Sequence, residues 1–158
     1  MRNKKQIGKA LGRVPSGLFI VTAAHEDRED AVLTSWVNQC SFEPPAVTIV
    51  LGTTRPARLL VEASGAFTLN ILGKESNSLL KHFFKPPAEG VSIFQGLNVS
   101  KGHKGIKILD DSVAYLECEV REQQRFGDHI LYTGEIVGGK TLKGGEPYVH
   151  VRDTGFSY

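Results

Sequence analysis

Cysteine is nearly missing from this 158-residue chain: it has two, Cys40 and Cys118, far apart and in no C-x-x-C metal or redox spacing. At this length a chain buries a sizeable core without metal or disulfide help. A charge excess is missing as well. Nineteen basic residues face seventeen acidic ones, for a formal net charge of +2. That balance leaves no extended basic face, so nucleic acid is not an expected partner. No apolar run approaches the about 20 residues of a membrane helix. Met1 to Gln6 carries positive charge but no signal-length apolar stretch follows it. The expected address is therefore the cytoplasm, with no membrane partner. Repeats, low-complexity tracts and linkers are also lacking, and a single domain over 1–158 is expected.

The chain is rich instead in short β-type segments. Ile7, Ala10, Leu11 and Val14 recur at helical spacing and predict a short opening helix, weakened by Gly8 and Gly12. Leu18 to Ala23 predicts a buried strand, Glu26 to Asp30 a solvated turn, and Ala31 to Asn38 a hairpin partner. Pro44-Pro45 leads in extended form to the β-branched run Ala46 to Leu51. Pro56 suits the first turn of a helix reaching Ser64, stopped by Gly65. Ala66 to Leu72 predicts a strand. Ser76 is a candidate cap for a helix whose Leu79, Leu80, Phe83 and Phe84 form an apolar stripe, ended by Pro86-Pro87. A long loop is expected from Lys85 to Asp111. Ala114, Leu116, Cys118 and Val120 alternate as a half-buried strand, with Cys118 as a small hydrophobe. Ile130 to Val137 and Tyr148 to Arg152 predict two more strands. The pattern is mainly β, an antiparallel barrel with short inserted helices.

Four constellations bear on chemistry. Thr34, Ser35, Asn38, Gln39 and Ser41 gather hydroxyls and amides around Trp36 at a strand end, either as a solvated strand end or as polar partners for a flavin. Gly52-Thr53-Thr54-Arg55-Pro56-Ala57-Arg58 ends a strand and opens a helix. Free N–H groups and two guanidiniums there suit a phosphate, while Thr53 or Thr54 equally suits simple capping. Lys81, His82 and Lys85 fit the last turn of a helix on dipole grounds alone. Gly127-Asp128 reads first as a hairpin turn, beside which His129 stands ready to bind a cofactor group or move a proton. The segment Gly134-Glu-Ile-Val-Gly-Gly-Lys-Thr141 matches the phosphate-loop pattern. Leu142-Lys-Gly-Gly-Glu-Pro147 follows it where a helix is required, so it reads as a glycine-rich β-turn. The Asn98-Val-Ser100 sequon matters only in a secreted protein.

Taken in order, several segments resemble the flavin reductase-like family of FMN-binding split barrels. They are Pro15-Ser-Gly-Leu-Phe-Ile-Val-Thr22, Thr34-Ser-Trp-Val-Asn-Gln-Cys-Ser-Phe-Glu-Pro-Pro45, Phe67-Thr-Leu-Asn-Ile-Leu72, Phe83-Phe-Lys-Pro86, Ala114-Tyr-Leu-Glu-Cys118, Gly127-Asp-His129 and Asp153-Thr-Gly-Phe-Ser-Tyr158. The wording is most similar to the reductase module of diflavin flavoproteins. The resemblance implies a Greek-key split barrel, a homodimer, and FMN near the subunit interface. Thr34, Ser35, Trp36, Val37, Asn38, Gln39, Cys40 and Ser41 would line its ring and ribityl chain. Gly52, Thr53, Thr54, Arg55 and Arg58 would take the phosphate, with Asn70 and Lys85 nearby. His129 would serve NADH or NADPH, and Tyr158 would close over the site. No metal is implied. Trp36 stands where the family has a small residue.

The expected function is NAD(P)H-dependent reduction of FMN. The alternative is an electron-transfer flavoprotein whose FMN relays electrons between protein partners, and a more distant one is a related barrel holding haem or pyridoxal phosphate.

Overall fold

The computed structural model describes residues 1–158. Its elements run α1 (Lys4–Gly12), β1 (Phe19–His25), β2 (Arg28–Thr34), β3 (Val37–Phe42), β4 (Pro45–Gly52), α2 (Pro56–Ser64), β5 (Ala66–Ile71), α3 (Asn77–Phe83), β6 (Val99–Lys101), β7 (Lys107–Leu109), β8 (Ala114–Phe126) and β9 (His129–Thr141). Seven strands form one antiparallel sheet in the order β2-β1-β5-β8-β9-β4-β3, while β6 and β7 form a separate hairpin. The fold is mostly β with a few short helices, as the alternation of apolar residues implies. No helix is long and apolar enough to cross a membrane.

The two edge strands, β2 and β3, are consecutive in the chain and separated only by Ser35 and Trp36. So short a link brings the two sheet edges together at that end, and the sheet curls into a barrel. Hydrogen bonds fasten the corner: Val50 N–H donates to the Trp36 carbonyl at 3.0 Å, and Thr34 Oγ1 donates to the Val50 carbonyl at 3.4 Å. This corner corrects the expected strand over 31–38. Pairing with β1 already begins at Arg28 and stops at Thr34, and Val37 onward pairs with β4. Only Glu26 and Asp27 remain as a turn.

One apolar cluster fills the barrel, joining Val21, Ile49, Leu51, Phe67, Leu69 and Tyr132 to Ala57, Leu60 and Val61 of α2. A second, around Ile20, Leu72, Leu79, Phe94 and Leu109, lies on the other face of β1 beneath α3 and the segment after it. Both faces of β1 and β5 are covered, which is why these strands read as nearly unbroken apolar runs. α2 is built as expected, with Pro56 in its first turn and Gly65 at φ 67° as its left-handed stop.

Several local expectations change. Ser76 does not cap α3: its buried hydroxyl accepts from Gly73 N–H and donates to the Asp111 carbonyl, tying two loops together. Leu80 and Phe83 pack on the second cluster, but Phe84, expected in the same stripe, is 74% exposed because α3 ends at Phe83. The loop after Lys85 contains the β6–β7 hairpin. The glycine-rich 134–141 segment is strand, not turn. A Cβ at Gly134 would meet the Phe67 ring at 2.5 Å, and the β8–β9 register slips beside Gly138. Tyr148 to Arg152 forms no strand; it contributes one bridge, Ser16 to His150, within a tail that runs along α1.

Cys118 lies in the barrel, where burial and then the Glu117 charge push its thiol from 9.0 up to about 12, while Cys40 is exposed on β3. The folded state holds this proton more tightly than the unfolded state. Its contribution to stability is therefore complete below about pH 9 and fades as pH rises toward 12. Native protein should titrate one thiol with a disulfide reagent near pH 8, and unfolded protein two. Cys40→Ser should bring the native count to zero; a remaining reactive thiol would mean that the barrel opens.

Candidate functional site

Register alone places the principal side chains. β3 pairs Val37 with Ile49, and β4 pairs Gly52 with His129 at the start of β9. Trp36, one residue before Val37 and bonded to Val50, is thereby set at the end of β4 where His129 emerges. Their ring centroids are 4.7 Å apart. Tyr158 completes the cluster, 5.8 Å from Trp36 between centroids, and the Arg152 guanidinium lies 5.4 Å from the Trp36 ring.

His129 is held from both nitrogens. Nδ1 lies 2.7 Å from Asp128 Oδ1 and Nε2 lies 2.9 Å from the Tyr158 hydroxyl. An ionised carboxylate only accepts, so Nδ1 carries the proton; in the neutral ring Nε2 then accepts from Tyr158. The His129 hydrogen bond holds the Asp128 carboxyl below the usual range. Tyr158 is largely exposed, but the loss of water around its hydroxyl against His129 raises the phenol, opposed by the nearby positive charges of Arg55 and Arg152.

The turn between β4 and α2 borders this cluster. Thr53 N–H donates to the Asp128 carbonyl at 2.9 Å and Arg55 N–H to the Gly52 carbonyl at 3.0 Å, which fixes the turn against the β8–β9 loop. The hydroxyls of Thr53 and Thr54, the Thr54 N–H and the Arg55 guanidinium have no partner within the chain. These unengaged donors, at the positive end of a nine-residue helix, suit a phosphate dianion.

Arg58 is occupied differently from what its spacing suggests. Its Nε donates to the Thr53 carbonyl at 3.0 Å and its Nη1 to Glu62 Oε1 at 3.1 Å, while the buried Tyr132 hydroxyl donates to the same carboxylate oxygen at 2.6 Å. Burial and the Glu62 carboxylate raise the Tyr132 phenol well above its ordinary value. The chain of bonds anchors the turn to the core.

The other expected site residues divide. Thr34 and Ser35 are buried at the corner beside Trp36. Val37 and Ser41 are half-buried on β3, Asn38, Gln39 and Cys40 are exposed there, and Gln39 Nε2 donates to the Ser41 carbonyl. Asn70 is fully buried. Its amide donates to the Ile20 carbonyl and Thr22 Oγ1, and its oxygen accepts from Leu109 N–H, so it joins β1, β5 and β7 within the fold. Lys85 is exposed past the end of α3, lining a surface cleft with Leu80, Lys81 and Phe84. The structure does not bring Asn70 or Lys85 to the Trp36–His129 cluster. Asp128 and Arg152 were missed. Asp128 was legible only as a turn residue, and nothing local to Arg152 foretells the path of the tail. No group of three or more His, Cys, Asp or Glu gathers to hold a metal.

A barrel whose mouth sets unengaged donors and a cation beside stacked aromatic and imidazole rings can receive a phosphorylated planar ligand. Residues 11–157 match the profile described as "Flavin reductase like domain", and the chain belongs to that family of flavin-related oxidoreductase modules. It is 38% identical over 153 residues to diflavin flavoprotein A 1 of Synechocystis, covering 95% of this chain and 26% of that protein. It is 37% identical over 155 residues to a putative diflavin flavoprotein A 6 of Nostoc, covering 96% and 27%. The chain thus spans about a quarter of the length of these relatives. Among solved structures, the NADH:FAD oxidoreductase of Streptomyces globisporus superposes with TM-score 0.84 at 22% identity, over 95% of this chain and 90% of that one. An FMN-binding protein of Thermus thermophilus gives 0.78 at 22%, over 89% and 83%. These likenesses establish the fold.

Arg58→Ala should cost about 1–3 kcal/mol, since it takes from the partly buried Glu62 carboxylate one of its two donors, leaving only Tyr132, and from the Thr53 carbonyl its donor, and thermal unfolding should show a drop of several degrees. Arg55→Ala should leave the melting temperature nearly unchanged. Equal losses in the two variants would contradict the division between an anchoring and a free arginine.

Proposed function

We propose that this module binds FMN at the barrel mouth and catalyses its reduction by NADH or NADPH, as a homodimer in the cytoplasm. The observation that carries the reading is the free Thr53–Thr54–Arg55 donor set lying directly beside the Trp36–His129 cluster. Arg55, the two threonine hydroxyls and the Thr54 N–H hold the phosphate. Trp36 gives the ring an aromatic flank, and Ser35 with the polar side chains of β3 meets its hydrogen-bonding edge. A bound FMN would supply the redox chemistry, that of a hydride acceptor able to give up electrons singly or in pairs. Asp128 fixes the tautomer and tilt of His129, so that Nε2 is directed at the carboxamide of the donor. The Arg58–Glu62–Tyr132 chain keeps the turn rigid, so that its donors need no reordering on binding. The exposed edge strand β3, with Phe42 89% exposed, is the surface a second copy would cover.

A second reading, an FMN relay reduced by a protein partner, draws support from Tyr158 and Arg152, which both lie against the Trp36 ring, Tyr158 also bonding His129. NADH-dependent bleaching of the yellow flavin band without any other protein favours the first reading; bleaching only with a protein donor favours the second. Protein purified with ample riboflavin supply should be yellow or take up micromolar FMN, and refusal of FMN would remove both. Arg55→Ala should weaken FMN roughly tenfold or more, the loss of a charge-assisted contact. His129→Ala should raise KM for NADH while FMN affinity holds; unchanged kinetics would take His129 out of the donor site.

A further inference from the structure

We propose that the C-terminal segment 150–158 is a displaceable strap, and that Tyr158 at its head holds the place beside His129 into which the donor's nicotinamide ring must come. The inference rests on the reading of His129 as the nicotinamide-facing residue and adds a regulation of that site.

The strap has a seat built for it. It runs antiparallel along α1: Ser16 and His150 exchange backbone hydrogen bonds at 2.9 and 2.6 Å, Arg152 N–H donates to the Gly12 carbonyl at 3.1 Å, and Gly155 N–H donates to the Gly8 carbonyl at 2.7 Å. Gly8 and Gly12 are the only buried residues of α1. A Cβ on Gly12 would overlap the Arg152 carbonyl, and one on Gly155 would overlap Leu11. The glycines at the centre and end of α1 are thus the surface on which this segment lies.

The head is held far less firmly than the seat. Beyond Gly155 no backbone group of the tail bonds to the body of the protein. Tyr158 is 70% exposed and is retained by one hydrogen bond to His129 Nε2 and by its contact with Trp36. A firmly seated stem with a weakly held tip opens at the tip first. The tip also competes by chemistry. A phenol lying against an indole and hydrogen-bonded to an imidazole nitrogen offers what a carboxamide-bearing pyridine ring offers, at the same nitrogen atom. Both cannot bond Nε2 together. Apparent donor affinity is therefore the intrinsic affinity reduced by the fraction of molecules with the tip open.

The test uses FMN-loaded full-length protein and NAD+ as the probe. Binding is read from the emission of Trp36, the one tryptophan of the chain, and KM for NADH is measured alongside. Two variants disturb the strap independently: Tyr158→Ala removes the tip, and Gly155→Val unseats the stem without altering the site. Both should tighten NAD+ and lower KM for NADH, by about tenfold if the tip is closed nine-tenths of the time. Tyr158→Phe should fall between them and wild type. Wild-type NAD+ affinity in both strap variants, with His129→Ala still weaker, overturns the strap and leaves the nicotinamide reading standing. Weaker NAD+ binding in Tyr158→Ala also overturns it, making Tyr158 a donor contact. If His129→Ala is unaffected as well, both fall.

Discussion

Two residues join the strands at opposite edges of a seven-stranded sheet, and the rest of the molecule follows from that constraint. Three Cα steps from Thr34 to Val37 cannot span more than about 11 Å, so the sheet has to close there. Closure packs Val21, Ile49 and Tyr132 around α2 as one interior, and it leaves Trp36 at the rim of the barrel. The antiparallel ladders then do the positioning. Ile49 opposite Val37 and Gly52 opposite His129 bring an indole and an imidazole together, although the two residues lie far apart in the chain.

Rigidity at the rim is supplied from within. The Tyr132 hydroxyl, inside the barrel, reaches Glu62, which orients Arg58, which in turn grips the Thr53 carbonyl. The two arginines of one short motif therefore have opposite duties. One is spent inside the protein, and the other is left to whatever arrives from solvent. A preorganised turn of this kind loses little freedom when it takes up an anion.

The barrel and its strands were legible because period-two alternation and β-branched runs report burial directly, as in Ala46 to Leu51 and Ala114 to Val120. The corner at Ser35 and Trp36 was not, since a change of pairing partner leaves the polarity pattern of a strand intact. Phe84 illustrates a second limit: helical spacing marks a face but not the residue at which the helix stops. In the site, His129 and the Gly52 to Arg58 turn could be singled out from residue type and position. Asn70, which fits a ligand list by chemistry, is used up in joining β1, β5 and β7. Asp128 and Arg152 depend on tertiary approach, one through a side-chain bond within a hairpin turn and the other through the course of the tail.

The glycines of α1 carry a practical consequence. A nine-residue helix with glycine at its centre and at its final position is marginal alone, and it is completed by residues 150–155 lying across it. Residues 4–16 and 150–155 are thus packed together, and Tyr158, three residues further on, touches Trp36 and His129. A purification tag or fusion attached at the amino terminus that disturbs this packing would register as altered behaviour at the barrel mouth, at the far end of the sequence from the alteration.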